Sequence, residues 1–376
     1  MLEQIRAGFE NEGLGDLAGR ASIDRPNGDD SGKTILTSVR PQFRKAVGTA
    51  FLPLFACRED KNRWRPVSYA MDIEAHIDWS RIDLVPLLDL PLSKYKPAGE
   101  TFAVGMARDG DAVIRQHDVH RLAAGVDELD PFYLSRVLSD DLIPNPWVAN
   151  EVTEQVLAGL SAKHGGEMVA GNFVYIVEQA KQHVMSEKNR LAKLVFEDSL
   201  EKDRIRFTII ADETTFRWFK SRQVRDAKRL TDKRGQPLQN ALFDVELEDA
   251  FNELEQAVAW FLEEQNQLYF WWRNIPHYGY FLQGWQKGRI FPDFIFATDY
   301  DGKDDFKVFV VETKGIHLKN EDTDYKKAVF SMANQKSKAM KLDQGTMAQA
   351  IKQHPIKYAV VHSNEWQKEF VRMTEG

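Results

Sequence analysis

Within GRIFPDFIFATDYDGKDDFKVFVVETKG (residues 288–315), three side chains have the types and spacing of a hydrolytic metal site: Asp293, Glu312 and Lys314. Two apolar runs, FPDFIFAT and FKVFVVETK, flank a polar stretch holding Asp301-Gly302, a strong two-residue hairpin signal. With that dipeptide at the turn centre, Asp293 falls opposite Val310. Glu312 is then one diagonal step away on the same face, about 7–8 Å between backbones. Two carboxylates so placed reach toward one small divalent ion. Period-2 alternation puts Glu312 and Lys314 on the face that carries Val308 and Val310. Charges at the end of a buried strand are costly unless paired or coordinating a metal. Oxygen ligands with few histidines nearby favour Mg2+ or Mn2+ over zinc.

The elements that must position these groups start with the helix expected from VELEDAFNELEQAVAWFLEEQ (245–265). At about 100° per residue from Phe251, the residues Leu254, Val258, Phe261 and Leu262 form one apolar stripe. Glu255 falls about 40° from Phe251, inside the edge of that stripe, whereas Glu253 and Glu264 face water. An acid on the core-facing side needs a reason, and completing a metal site against the hairpin is one. Beyond this helix the pattern reads strand, strand, strand, helix, strand. The expected fold class is therefore α/β, of the mixed α+β kind.

Pro292-Asp293 followed by Glu312-Thr313-Lys314 resembles the PD-(D/E)XK nuclease signature. FNELEQAVAWFL, YFWWRN, GRIFPDFIFA, VFVVETKG and the closing IKYAVVHSNEW narrow the likeness. Together they resemble the C-terminal endonuclease portion of type III restriction enzyme nuclease/translocase subunits and related helicase–nuclease proteins, over about residues 245–366. A weaker likeness covers FLPLF to HIDW (51–79). The resemblance implies a restriction-endonuclease-like αβββαβ core and a Mg2+ ion, for which Mn2+ substitutes. Asp293 and Glu312 would bind the ion with the Thr313 backbone carbonyl, Lys314 would orient or activate water, and Glu255 would match the acidic position of the first core helix. The implied reaction is hydrolysis of DNA to 5′-phosphate and 3′-hydroxyl ends, in prokaryotic restriction or antiphage defence. The family's ATP-driven motor is missing: the nearest P-loop lookalike, NGDDSGKT (27–34), lacks its first Gly and holds two acids where phosphates would sit. No ATP site is expected in this chain, so either a separate helicase, translocase or defence-system subunit is the implied partner, or the chain is a fragment of a larger helicase–nuclease. The rival reading is a catalytically inactive DNA-binding or assembly subunit with a relic nuclease fold.

The rest of the chain sets the surroundings. With 376 residues, room exists for two or three cores. Residues 241–376 are the expected nuclease domain, and 1–240 an accessory region, mainly helical beyond a boundary near 130. The link is the polar RGQPLQN (234–240). The start of the chain reads as helical, TFAVGMA and DGDAVI (101–114) as a hairpin, and RIRFTIIA (204–211) as a strand. One cysteine, Cys57, excludes an internal disulfide and a Cys-based zinc or iron–sulfur site, and is expected to be a small buried residue rather than a nucleophile. No apolar run approaches the roughly 20 residues of a membrane span, and no signal-peptide stretch opens the chain, so a cytoplasmic protein is expected. A net charge of −7 argues against a surface that binds nucleic acid everywhere, but not against a local basic groove. The stretch 217–234 carries eight Lys/Arg against two Asp. Arg222, Arg225, Lys228 and Arg229 there could track a DNA backbone, or simply line a solvated helix face or linker. The same two readings hold for Lys326, Lys327, Lys336, Lys338 and Lys341 after the active strand. Trp271 or Trp272 is expected in the core.

Overall fold

The computed structural model of the protein describes residues 34–49, 51–60, 63–92, 130–210, 221–298, 306–315, 321–338, 340 and 354–375. The amino-terminal helix, the 101–114 hairpin, residues 27–33 of the P-loop lookalike, Asp301-Gly302 and Lys341 lie outside them. The first described elements are β1 (Thr34–Ser38), α1 (Arg44–Thr49), β2 (Leu54–Arg58), β3 (Trp64–Pro66) and α2 (Val85–Leu88). A helical stretch follows: α3 (Pro131–Asp141), α4 (Pro146–His164), α5 (Gly166–Gly171) and α6 (Phe173–Glu201). Next come β4 (Ile205–Thr208), β5 (Ser221–Arg225), α7 (Glu253–Glu263), β6 (Leu268–Arg273), β7 (Phe294–Thr298) and β8 (Lys307–Lys314). The chain ends in α8 (Glu321–Lys338), β9 (Ile356–His362) and α9 (Trp366–Glu375). This is a mixed α/β protein. Among the described residues no helix is long and apolar enough to cross a membrane.

From α7 onward the elements run helix, three strands, helix, strand, in the order read from the sequence, with α9 added. The strands form one sheet in the order β6-β7-β8-β9. β6, β7 and β8 are antiparallel neighbours, whereas β9 lies parallel to β8. A parallel neighbour needs a crossover, and α8 supplies it. One sheet face packs Phe294, Phe296, Phe309 and Val311 against Val258, Ala259 and Leu262 of α7 and Phe370 of α9. The other packs Ile295, Ala297, Val308 and Val310 against Val329, Phe330 and Ala333 of α8. β8 is thus covered on both faces, which is why it reads as an unbroken apolar run.

A second sheet, ordered β3-β2-β4, joins the same core from the amino-terminal side. Phe207 of β4 meets Tyr358 of β9 edge-on at 5.9 Å, and Phe55 of β2 lies 5.1 Å from Phe196 of α6. The core therefore runs across the expected division near 240 without a break. The bundle α3–α6 has its own core, including Leu138, Val156, Leu160, Ile176 and Ala180. α6 joins the two: Ile176 and Ala180 sit in the bundle, Leu191 and Phe196 in the larger core. At 29 residues it is about 43 Å long, enough to reach both. Trp271, Trp272 and Trp285 are all buried. Cys57 is partly buried, and burial with the neighbouring Asp72 charge pushes its thiol up to about 11, which disfavours the thiolate at neutral pH.

Two sequence expectations are corrected. Part of the basic stretch, whose alternative reading is a solvated helix face or linker, is a strand, β5 pairing antiparallel with β1 from Thr34↔Arg225 to Ser38↔Ser221. The hairpin register also differs: Ile295, not Asp293, faces Val310. The last described pair is Thr298↔Lys307, and Phe306 is buried 6.1 Å from Phe270. The difference is two residues, so every side chain keeps its face.

Candidate active site

Extending the β7–β8 register by one residue beyond Phe294↔Val311 sets Asp293 directly across from Glu312. The two acids are close enough for the Glu312 charge to act on Asp293. Asp293 is partly buried and Glu312 fully so. Asp293 Oδ2 accepts hydrogen bonds from the Thr313 N–H at 2.6 Å and the Thr313 hydroxyl at 2.7 Å. The Thr313 carbonyl faces the same way. Bonds at the two ends of the β8–β9 ladder, Val308 N to Pro355 O and Ser363 N to Lys314 O, turn the backbone groups of the even residues toward β9. Those of Thr313 are left pointing toward β7 and Asp293.

Glu312 Oε1 receives two ammoniums, Lys326 Nζ at 2.8 Å and Lys314 Nζ at 3.0 Å. Both also lie near Asp322 Oδ2, Lys326 at 3.2 Å and Lys314 at 3.4 Å. Glu312 Oε2 is buried with no hydrogen-bond partner. An unsatisfied carboxylate oxygen in a core costs on the order of 1–3 kcal/mol or more. Asp293 shows the same tension. Burial first, then the charge of Glu312, raises its carboxyl to about 7; the Thr313 donors work against the shift and Glu255 adds to it. For Lys326, burial opposes the charge, but the Glu312 carboxylate holds the ammonium above the usual lysine range.

Glu255 faces the core as expected, for a different reason. Asn252 caps α7 and the Glu255 carboxylate returns to the Asn252 N–H, closing a capping box. Arg273, at the end of β6, then binds both Glu255 oxygens at 3.0–3.2 Å. Glu255 is close enough to act on Asp293 electrostatically, yet its oxygens are committed elsewhere. Among the described residues no group of three or more His, Cys, Asp or Glu side chains is arranged to hold a metal. An ion here would draw on two carboxylates, Asp293 and Glu312, and the Thr313 carbonyl. The orphaned Glu312 Oε2 fits that use.

Arg273, Asp322 and the Lys326–Glu312 contact were not read from sequence as parts of the site. Asp322 and Lys326 stand four apart on α8, a pairing visible in the sequence, whereas their meeting with Glu312 depends on how α8 packs on β8.

The expected DNA-contacting cations divide. Arg222 is withdrawn: it pairs with Glu246 at 2.6 Å, with side chains 14% and 2% exposed, and lies over the Phe243 ring. Arg225 pairs with Asp249 and Lys228 with Glu248 on the surface, where such pairs leave the cation largely available. Arg229 and Lys336 are exposed. The Arg222–Glu246 pair is structural. Arg222→Ala leaves a buried carboxylate without its cation and should cost about 3–5 kcal/mol of stability, whereas Arg225→Ala should change it by less than about 0.5 kcal/mol. Urea unfolding of the two variants checks this.

No protein-family model matches the chain, and searches of curated proteins and of solved structures likewise gave no match.

Proposed function

We propose that this protein is a metal-dependent endonuclease of the PD-(D/E)XK kind, hydrolysing DNA phosphodiester bonds at Asp293, Glu312 and Lys314. The observation that carries the reading is one edge of the β7–β8 ladder. There two acids lie close enough to act on each other, one of them with an orphaned oxygen, and a lysine follows two residues on along the same strand face. The order α7-β6-β7-β8-α8-β9 agrees with the αβββαβ core that the sequence resemblance implies.

In this mechanism Asp293 Oδ2 is fixed by the two Thr313 donors, and Glu312 Oε1 is fixed by Lys314 and Lys326. The remaining oxygen of each acid and the Thr313 carbonyl would hold Mg2+. A bound Mg2+ supplies Lewis-acid polarisation of the phosphoryl oxygen and a lower pKa for bound water. Lys314, anchored on Glu312, places a positive charge where the attacking water and the phosphoryl oxygens meet. Water adds to phosphorus, the bond to the 3′ oxygen breaks, and the proton lost by the water is balanced by the one the 3′ oxygen gains. The products are 5′-phosphate and 3′-hydroxyl ends. Restriction or antiphage defence as the setting, with a separate motor as partner, rests on the sequence resemblance alone.

The test is incubation of supercoiled and linear plasmid with the protein in Mg2+, in Mn2+ and in EDTA. Cutting with either metal and none in EDTA is the expected result. The second reading, an inactive DNA-binding or assembly subunit, draws on the missing third carboxylate ligand. It predicts DNA binding that is indifferent to metal and no cutting even in Mn2+.

A further inference from the structure

The four charged groups, Glu312 and Lys314 at the end of β8 and Asp322 and Lys326 on α8, do not play equal parts. Glu312 lies buried behind Lys314 and Lys326, with one oxygen shared between the two ammoniums. One carboxylate cannot balance two cations. The second negative charge comes from the outer side, where Asp322 Oδ2 bridges the same pair at 3.2 and 3.4 Å. These contacts are longer than those to Glu312, and the Asp322 side chain is 49% exposed while the lysines are 15% and 17% exposed. Asp322 is thus an anion at the solvent end of a site whose inner wall is fixed.

On the nuclease reading, we propose that Lys314 and Lys326 form a two-ammonium seat for a DNA phosphodiester, and that Asp322 holds this seat until DNA displaces it. A phosphodiester carries one negative charge on two free oxygens, so it replaces the carboxylate with the balance of charge preserved. The exchange gives up only the two longer contacts of a half-exposed carboxylate, at 3.2 and 3.4 Å. It gains a phosphate contact that also releases counterions from the DNA. Lys326 is then a phosphate-binding residue supplied by α8, distinct from the lysine of the E-T-K run on β8. Asp322 acts as a built-in competitor for DNA.

The seat is tested by the affinity of the full-length protein for a short fluorescent duplex in Ca2+, measured by anisotropy over a range of salt. Asp322→Asn should tighten binding about 3–10-fold, a gain that a misfolded variant cannot mimic. Asp324→Asn, an exposed acid on the same helix with no contact to either lysine, should leave affinity unchanged. Lys326→Met should weaken binding about 10-fold and lower the slope of log affinity against log salt by about 1, and Lys326→Arg should restore the slope. In the Asp322→Asn/Lys326→Met double variant the gain should disappear, because the competitor and its seat act as one unit. The seat is overturned if Asp322→Asn and Asp324→Asn behave alike, or if Lys326→Met keeps the wild-type slope. A wild type that cuts DNA while the variants show no such differences refutes the seat alone. A wild type that neither binds nor cuts DNA refutes the nuclease reading and the seat with it.

Discussion

Lys314→Ala should lower Mg2+-dependent cleavage by about 10²–10⁴-fold while the protein stays folded and still binds DNA. The fold should survive because Lys326 remains 2.8 Å from Glu312 Oε1, so the buried carboxylate is not stranded. Removing a lone partner of a buried charge is what costs several kcal/mol, and here a second partner is in place. The loss should therefore fall on the chemistry. A charged donor that stabilises the reacting water and the developing phosphoryl charge contributes a factor of this size. The split is diagnostic: single-turnover rates at saturating DNA should fall by orders of magnitude, and affinity in Ca2+ by no more than about tenfold, one phosphate contact's worth. Equal rates for wild type and variant would remove Lys314 from the mechanism and leave the acids as a structural pair. Lys314→Arg should keep the affinity and lose most of the rate, since a guanidinium spreads its charge over a rigid fork that does not fit a site shaped around an ammonium.

Much of this site was legible because strand geometry preserves parity. The alternation of Val308, Val310, Glu312 and Lys314 required no knowledge of the turn, and a register error of two residues left each side chain on its face. What the pattern could not supply was the pairing, because which residues of β7 and β8 face each other depends on how both strands pack between α7 and α8. Glu255 illustrates a second limit. Helical periodicity placed it toward the core, but a core-facing acid has more than one way to be satisfied. The choice between a metal and an arginine depended on where Arg273 ends β6. Spacing in the sequence did hold a clue, since Asn252 three residues before Glu255 is a capping-box arrangement that already gives the carboxylate work. The basic stretch shows a third limit. Its charges look unbalanced within the linear window, but Glu246, Asp249 and Glu248 of the neighbouring segment pair with Arg222, Arg225 and Lys228. The helices from 131 to 201 came through plainly because long periodic segments carry a strong signal.

Asp293→Asn should make the metal-free protein more stable above pH 7 while abolishing cleavage. Burial and the charge of Glu312 raise the Asp293 carboxyl in the folded protein from 3.8 to about 7. Between those values the folded state keeps a proton that the unfolded chain has lost. Stability from this group is therefore fully present below about pH 4 and is lost as the pH rises through 7. The shift bounds the loss at about 4 kcal/mol. Asparagine has no such titration, and its carbonyl oxygen can still accept both Thr313 donors. In EDTA, the melting temperature of wild type should fall from pH 4 to 8 relative to that of the variant, and the two curves should separate most above pH 7. Mg2+ should act in the opposite sense on wild type, because an ion bound between Asp293 and Glu312 stabilises the folded state in proportion to its occupancy. The variant, lacking one of the two anions, should show little Mg2+-induced rise and no cutting at any pH. Identical pH slopes and identical Mg2+ responses in the two proteins would mean that Asp293 is neither the strained carboxyl nor a ligand. The opposite signs of the two effects are what make the experiment decisive: a purely structural aspartate offers no reason for its loss to stabilise the empty protein and at the same time remove its response to a divalent ion.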